Sequence, residues 1–115
     1  MKKNEVYLHH ILDAIRRIES YTGSLDREAF FSEMMVQDAV VRQLEIIGEA
    51  SRRLSDDFRT RYNEIPWRAI IGMRNRIAHN YLDIDLQVVW EVVRVDLPDL
   101  KRRVSSLLDQ LEGHH

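Results

Sequence analysis

Apolar residues recur every three or four positions along most of this chain, which is the pattern of helices that bury one face. Over residues 4–21 the stripe consists of Leu8, Ile11, Leu12, Ile15 and Ile18. A second helical period covers residues 26–54, and Asp26 is a suitable N-cap for it. Because 29 residues is long for one helix, we expect a break near Ser32 and a main helix that begins around Glu33.

Shorter elements follow in the second half of the chain. Ser55 can cap a short helix, and Pro66 suits the first position of a helix over residues 66–78. Gly72 lies inside that helix, where glycine costs about 1 kcal/mol of helix stability. We therefore expect another backbone segment to approach closely at Gly72.

The last helix has the most regular stripe, formed by Leu86, Val89, Val93, Leu97, Leu100, Val104, Leu107 and Leu111. Asp83 or Asp85 can cap it, and Pro98 inside it should produce a kink. Three long amphipathic helices and a shorter one predict an all-α, four-helix-bundle-like fold with short extra helices. A chain of 115 residues is long enough for one domain. We place this domain at residues 1–111, because Glu112-Gly113-His114-His115 resembles the start of a purification tag.

The composition narrows the classes of function. The chain has no cysteine, which excludes disulfides, thiolate chemistry and cysteine-based zinc sites. No apolar run reaches the roughly 20 residues of a membrane span, and the N-terminus lacks the apolar segment of a signal peptide. We therefore expect a cytoplasmic protein with no membrane partner.

Charge is distributed unevenly along the chain. The formal net charge of −2 argues against indiscriminate nucleic-acid binding, and against DNA as a partner. Residues 59–79 nevertheless contain five arginines and one glutamate, a local balance of +4, between segments rich in acidic residues. Such a basic segment suits a limited phosphate-bearing ligand better than a long duplex, although a solvated helix face would have the same composition.

The candidate chemistry lies in residues 72–81, where Arg74, His79 and Tyr81 form the pattern R-x-x-x-x-H-x-Y. These residues supply a permanent cation, a group that titrates near neutral pH and a phenol, which together suit phosphate chemistry. On one helix, however, Arg74 and His79 would point roughly 140° apart. Either the helix ends between them, with Asn80 suited to a left-handed turn, or a second copy of the chain supplies the opposing half of the site.

Metal ligation finds little support in the sequence, and no cofactor is expected. The adjacent His9 and His10 point about 100° apart on a helix, which favours an exposed pair over a shared ion. Glu45 and Glu49 could be imagined as ligands, but the Glu-x-x-His pairing of di-metal bundles does not occur. The charged face Asp38, Arg42, Glu45, Glu49 and Arg53 instead predicts ion pairs, within the chain or across a dimer.

Three stretches together resemble the HepT-like family of HEPN-domain proteins. They are residues 37–50 (QDAVVRQLEIIGEA), Ile65-Pro66-Trp67-Arg68 and residues 73–81 (MRNRIAHNY), in the family's order and over nearly the whole chain. The resemblance implies a helical homodimer that acts as a metal-independent ribonuclease toxin on RNA, with tRNA as one potential substrate. It also implies a partner, the minimal nucleotidyltransferase antitoxin usually called MntA.

Carried over position by position, the resemblance assigns Arg74 and His79 as the catalytic pair and Asn75 as a supporting polar residue. It assigns Tyr81 as the residue to which the partner attaches AMP. Two other interpretations remain open from the sequence. The chain could be a non-catalytic module that binds a nucleotide or substrate for a nucleotidyltransferase, or a helical scaffold without a ligand.

Overall fold

The computed structural model describes residues 2–78 and 83–113, which form helices joined by short connections. Extended pairing within these ranges is limited to one isolated bridge between Ala78 and Ile84, so the predicted all-α class is confirmed. No helix in the described ranges is both long enough and apolar enough to cross a membrane. The helices are α1 (Lys2–Thr22), α2 (Arg27–Ser32), α3 (Met34–Arg53), α4 (Asp56–Arg61), α5 (Trp67–Ile71), α6 (Met73–Ile77), α7 (Leu86–Glu91) and α8 (Leu97–Glu112), with a π-helical turn (Val92–Asp96) between the last two.

The core lies between the long helices. Helix α1 packs along α3 and against α8, and α3 also contacts α5 and α6. The stripe predicted for the first helix is buried throughout, since Leu8, Ile11, Ile15 and Ile18 have no exposed surface and Leu12 has almost none. Burial of these apolar faces is the main source of stability for helices of this kind. The short helices α5 and α6 pack against α3 and add Trp67, Ile70, Met73 and Ile77 to the same core.

Helix boundaries follow the capping residues predicted from the sequence. The Ala29 N–H donates to Asp26 Oδ1 at 2.8 Å, and the Phe58 N–H donates to Ser55 Oγ at 3.1 Å. Of the two aspartates proposed for the last helix, Asp85 is the cap and accepts from the Val88 N–H at 3.2 Å. The break expected near Ser32 is also confirmed, because α2 ends there.

The predicted single helix over residues 66–78 is wrong, because the chain leaves helical geometry at Gly72 and forms two five-residue helices instead. The close backbone approach expected at Gly72 is also wrong. The nearest atom to a Cβ at Gly72 would be the Arg68 carbonyl oxygen, 3.3 Å away and only four residues earlier. Another segment approaches at Gly48 of α3, where a Cβ would lie 3.5 Å from the Ile70 oxygen and 3.8 Å from the Ile71 oxygen of α5.

The predicted last helix is interrupted before Pro98 is reached. Pro98 is the second residue of α8, and the π-helical turn precedes it. At the end of that turn the Leu97 N–H donates to the Val92 oxygen, five residues earlier. A proline ring in a continuous α-helix meets the carbonyl four residues before it, and the wider turn relieves that contact. The irregularity expected from Pro98 therefore takes the form of a π turn. Helix α8 continues through Glu112, and Gly113 ends it with a φ of 73°.

Candidate functional site

Arg74 is the second residue of α6, the short helix that follows Gly72. The other face of α6 is buried through Met73 and Ile77, which are 7% and 1% exposed. The Arg74 side chain is 52% exposed. The helix is thus anchored by its apolar face while the guanidinium of Arg74 remains accessible to a ligand.

A groove of about 200 Å³ lies beside Arg74, between α3 and the pair α5–α6. Its apolar surface includes Leu44, Ile70 and Ile77, and the glycine of α3, Gly48, also lines it. Its charged lining consists of Glu45, Glu49, Arg52 and Arg74. The groove therefore combines an apolar surface with both signs of charge.

Within this groove Arg74 Nη1 forms an ion pair with Glu45 Oε2 of α3. The next glutamate on that helix, Glu49, accepts from Arg53 Nε at 3.2 Å, so its charge is compensated on α3 itself. The prediction of ion pairs along this face of α3 is confirmed for pairs within the chain. The pairing of Glu45 with Arg74 could not be predicted from the sequence, because it depends on how α6 packs against α3.

A second ion pair connects α6 to the π-helical turn. Arg76 Nη2 donates to Asp96 Oδ2 at 3.2 Å, which links α6 to the π-helical turn. Both side chains are about half exposed, so solvent screens this pair. Arg74 and Arg76 therefore connect α6 to two different elements of the bundle.

Asn75, predicted as a supporting residue, is exposed on α6 between these two arginines. Its backbone N–H donates to the Gly72 oxygen at 3.1 Å and so helps to begin α6 after the interruption. The role predicted for its side chain stays a prediction.

His79, Asn80 and Tyr81 lie outside the described residues, so their predicted roles stay predictions. The residues on either side are described. Helix α6 ends at Ile77, and Ala78 is extended with φ −101° and ψ 124°. Ala78 pairs with Ile84, and the Asp85 N–H donates to the Ile77 oxygen at 2.6 Å. The helix therefore ends between Arg74 and His79, as the first of the two arrangements requires. The turn at Asn80 and the direction of the His79 side chain stay predictions.

The two N-terminal histidines have different surroundings. Both are exposed; His9 Nε2 lies 2.9 Å from Glu112 Oε2, and the His10 ring meets the Tyr7 ring edge-on at a centroid distance of 6.0 Å. The predicted exposed pair is thus confirmed. In the part of the chain that the structure describes, no three histidine, aspartate or glutamate side chains are grouped as metal ligands would be.

Comparisons with known proteins agree on one family. A family model described as ribonuclease HepT-like matches residues 11–107. A Methanocaldococcus jannaschii protein, named as a gamma-glutamylcyclotransferase and provisionally as an RNase, is 42% identical over 113 residues. That alignment covers 97% of this chain and 51% of the relative, so the chain spans about half of that protein's length.

Two further relatives match over nearly their whole length. A second M. jannaschii protein, provisionally named an RNase, is 38% identical over 91% of this chain and 98% of its own. A Thermococcus cleftensis protein, provisionally named ribonuclease HepT, is 40% identical over 92% of this chain and 96% of its own. No solved structure gives a significant match. The chain belongs to the HepT-like ribonuclease family.

Proposed function

We propose that this chain is a metal-independent endoribonuclease toxin that cleaves RNA as a homodimer. Membership in the HepT-like ribonuclease family supports the activity. The observation that carries the proposal is the position of Arg74, half exposed at a groove and held by Glu45. A guanidinium in that position is oriented before a phosphate arrives, which favours electrostatic stabilisation of developing charge.

Arg74 is the group that binds the scissile phosphate. An arginine side chain is a permanent cation that binds and stabilises negative charge and does not transfer protons. It presents five N–H donors in a planar fork that matches phosphate oxygens. Because the contact with Glu45 engages Nη1, other donors of the fork are left to bind phosphate oxygens and stabilise the pentacoordinate state.

His79 is the proton-transfer group. In cleavage without a metal, the ribose 2′-oxygen attacks the neighbouring phosphorus and the bond from phosphorus to the 5′-oxygen breaks. The products are a 2′,3′-cyclic phosphate and a 5′-hydroxyl. One proton must leave the 2′-hydroxyl and another must reach the leaving 5′-oxygen, and histidine can perform either transfer near neutral pH, with a contribution of about 10²–10⁴-fold in rate.

A dimer resolves the need for two proton carriers. One chain has a single histidine in its motif, whereas two motifs that face a shared cleft supply two histidines and two arginines. One histidine would then act as base and the other as acid.

Tyr81 is the regulatory residue in this proposal. A minimal nucleotidyltransferase of the MntA type would transfer AMP from ATP, forming a bond between the tyrosine oxygen and the α-phosphorus and releasing pyrophosphate. The added adenylyl group carries bulk and negative charge two residues from His79 in the sequence, and would repel the RNA phosphate.

The test is cleavage of tRNA and of a labelled single-stranded RNA in excess chelator. We expect the wild-type protein to cut, and Arg74→Gln and His79→Ala to lose about 10²-fold or more in turnover. Full cleavage by His79→Ala would contradict the mechanism. RNA binding without cleavage by the wild-type protein would favour the alternative, a non-catalytic module that presents a nucleotide or substrate to a nucleotidyltransferase.

The regulatory part is tested separately. Tyr81→Phe should remain active on RNA and resist silencing by the partner enzyme and ATP, because it lacks the oxygen that accepts AMP. Mass spectrometry of the wild-type protein should show added AMP on Tyr81. Silencing of Tyr81→Phe to the wild-type extent would contradict this assignment.

A further inference from the structure

A second groove adjoins the one at Arg74. It has a volume of about 670 Å³ and lies between α4 and α5, with Arg59, Thr60, Asn63 and Arg68 among its polar lining residues. Ile71 lines both grooves, so they meet at the end of α5. Arg59 also connects their walls, because its Nη1 donates to the Arg52 carbonyl oxygen at 3.5 Å. Together the two grooves form a continuous path, called the basic path, that extends from Arg74 past Arg52 to Arg68.

Two arginines on the basic path differ from their neighbours. Arg52 lines the first groove and Arg68 the second, and both are exposed. Neither forms an ion pair with any residue that the structure describes. In contrast, Arg53, Arg59, Arg74 and Arg76 each pair with a carboxylate.

The carboxylates along the basic path are already compensated. Glu45 pairs with Arg74, Glu49 with Arg53 and Asp56 with Arg59. The charges of Arg52 and Arg68 are therefore the uncompensated ones in these grooves, and they favour a negatively charged ligand. Thr60 and Asn63 add hydroxyl and amide groups of the kind that bind phosphate and sugar oxygens.

The aromatic residue of the path is poorly placed to bind bases. Trp67 is 5% exposed, and its Nε1–H donates to the Tyr62 oxygen at 3.1 Å. Base recognition in single-stranded RNA depends heavily on stacking against exposed aromatic faces. The composition of the grooves thus suits contact with the sugar–phosphate backbone and not with base edges.

We propose that Arg52 and Arg68 bind phosphates that flank the scissile one, so that the basic path holds an RNA strand on one side of the cleavage position without reading its sequence. This inference rests on the proposed ribonuclease function. It assigns binding, and no part of the chemistry, to these two arginines.

The experiment compares substrates of two lengths. Arg52→Gln, Arg68→Gln and the double variant are assayed on a labelled RNA of about 15 nucleotides and on a dinucleotide. The matched control is Arg17→Gln, an exposed arginine of α1 that lines neither groove. For the long RNA we expect KM to rise about tenfold for each substitution, with kcat unchanged, because each removes one charged phosphate contact. Cleavage of the dinucleotide should change much less, since its single phosphate binds at Arg74 and does not extend to Arg52 or Arg68.

Binding is measured independently of cleavage with 2′-O-methyl RNA, which lacks the attacking hydroxyl. The dependence of log Kd on log salt should weaken by about 0.7 for each arginine removed. Equal affinity of the double variant, the control and the wild type for this RNA would overturn the proposal. So would an equal loss on the dinucleotide and the long RNA. Wild-type protein that binds this RNA through Arg52 and Arg68 but never cleaves RNA would overturn the ribonuclease function and leave the binding path in place.

Discussion

Helices α3 and α6 are both amphipathic, but they are held in place in different ways. Helix α3 has 20 residues, with Val40, Leu44 and Ile47 almost fully buried. Helix α6 has five residues and begins directly after an interruption at Gly72. A five-residue helix is far below the length at which an isolated helix is stable in water. Its position therefore depends on two buried side chains and on its ion pairs to α3 and the π-helical turn.

Because α3 and α6 are held in place differently, substitutions in the two helices should affect stability and activity to different extents. Truncation of the buried side chains of α3 should destabilise the whole domain, because it removes apolar contacts between long helices. Changes to the ion pairs of α6 should leave the domain folded and alter the position of Arg74. Helix α6 is thus the part of the fold where substitutions can change catalysis with little loss of stability.

The largest effect on stability is expected for Ile47→Ala. Ile47 has no exposed surface, and truncation of such a side chain costs about 2–5 kcal/mol through lost burial and a residual cavity. Chemical denaturation measures this loss. Met35→Ala on the same helix is the control, since Met35 is 85% exposed and its truncation should change stability by less than about 0.5 kcal/mol. Equal losses for the two variants would contradict the conclusion that the buried face of α3 stabilises the domain.

A smaller effect, confined to catalysis, is expected for Glu45→Gln. The variant loses the carboxylate that orients Arg74, so kcat should fall about tenfold. It also loses a negative charge from the groove, so KM for RNA should fall as well. Steady-state kinetics on labelled RNA separates the two parameters.

Glu49→Gln is the matched control for that experiment. Glu49 lines the same groove but pairs with Arg53, so the variant should lower KM without changing kcat. A common fall in kcat for both variants would show that Glu45 has no specific role in positioning Arg74.

The smallest effect is expected for Arg76→Gln. The ion pair with Asp96 is about half exposed, and such pairs contribute at most about 1 kcal/mol. Thermal unfolding should therefore change little. A loss above about 2 kcal/mol would mean that α6 is not separable from the stability of the bundle.

Much of the fold could be predicted because its signals are local. The caps at Asp26, Ser55 and Asp85 depend on one side chain and a backbone N–H three residues later. The buried stripes follow from the period of the helix alone. The spacing of Arg74 and His79 offered a helix end between them as one of two alternatives, and the helix does end there.

The features that the sequence did not show arise from contacts between distant segments. The contact of Glu45 with Arg74 depends on the packing of α6 against α3. The close approach of α5 occurs at Gly48 and not at Gly72, although both glycines lie within helical periods of the sequence. Arg52 and Arg68 are ordinary surface arginines by sequence, and they are distinguished only by the adjoining grooves and by the ion pairs that their neighbours form.

The π-helical turn at residues 92–96 affects the rest of the chain after it. A π turn corresponds to one extra residue inserted in an α-helix, and each residue of an α-helix adds a rotation of about 100°. Deletion of the exposed Val95 would restore a regular helix but rotate α8 by that angle about its axis. The buried face of α8 would then turn away from α1, against which it now packs. The extra residue of the π-helical turn therefore determines the rotation of α8 about its axis relative to the turn, whose Asp96 pairs with Arg76 of α6.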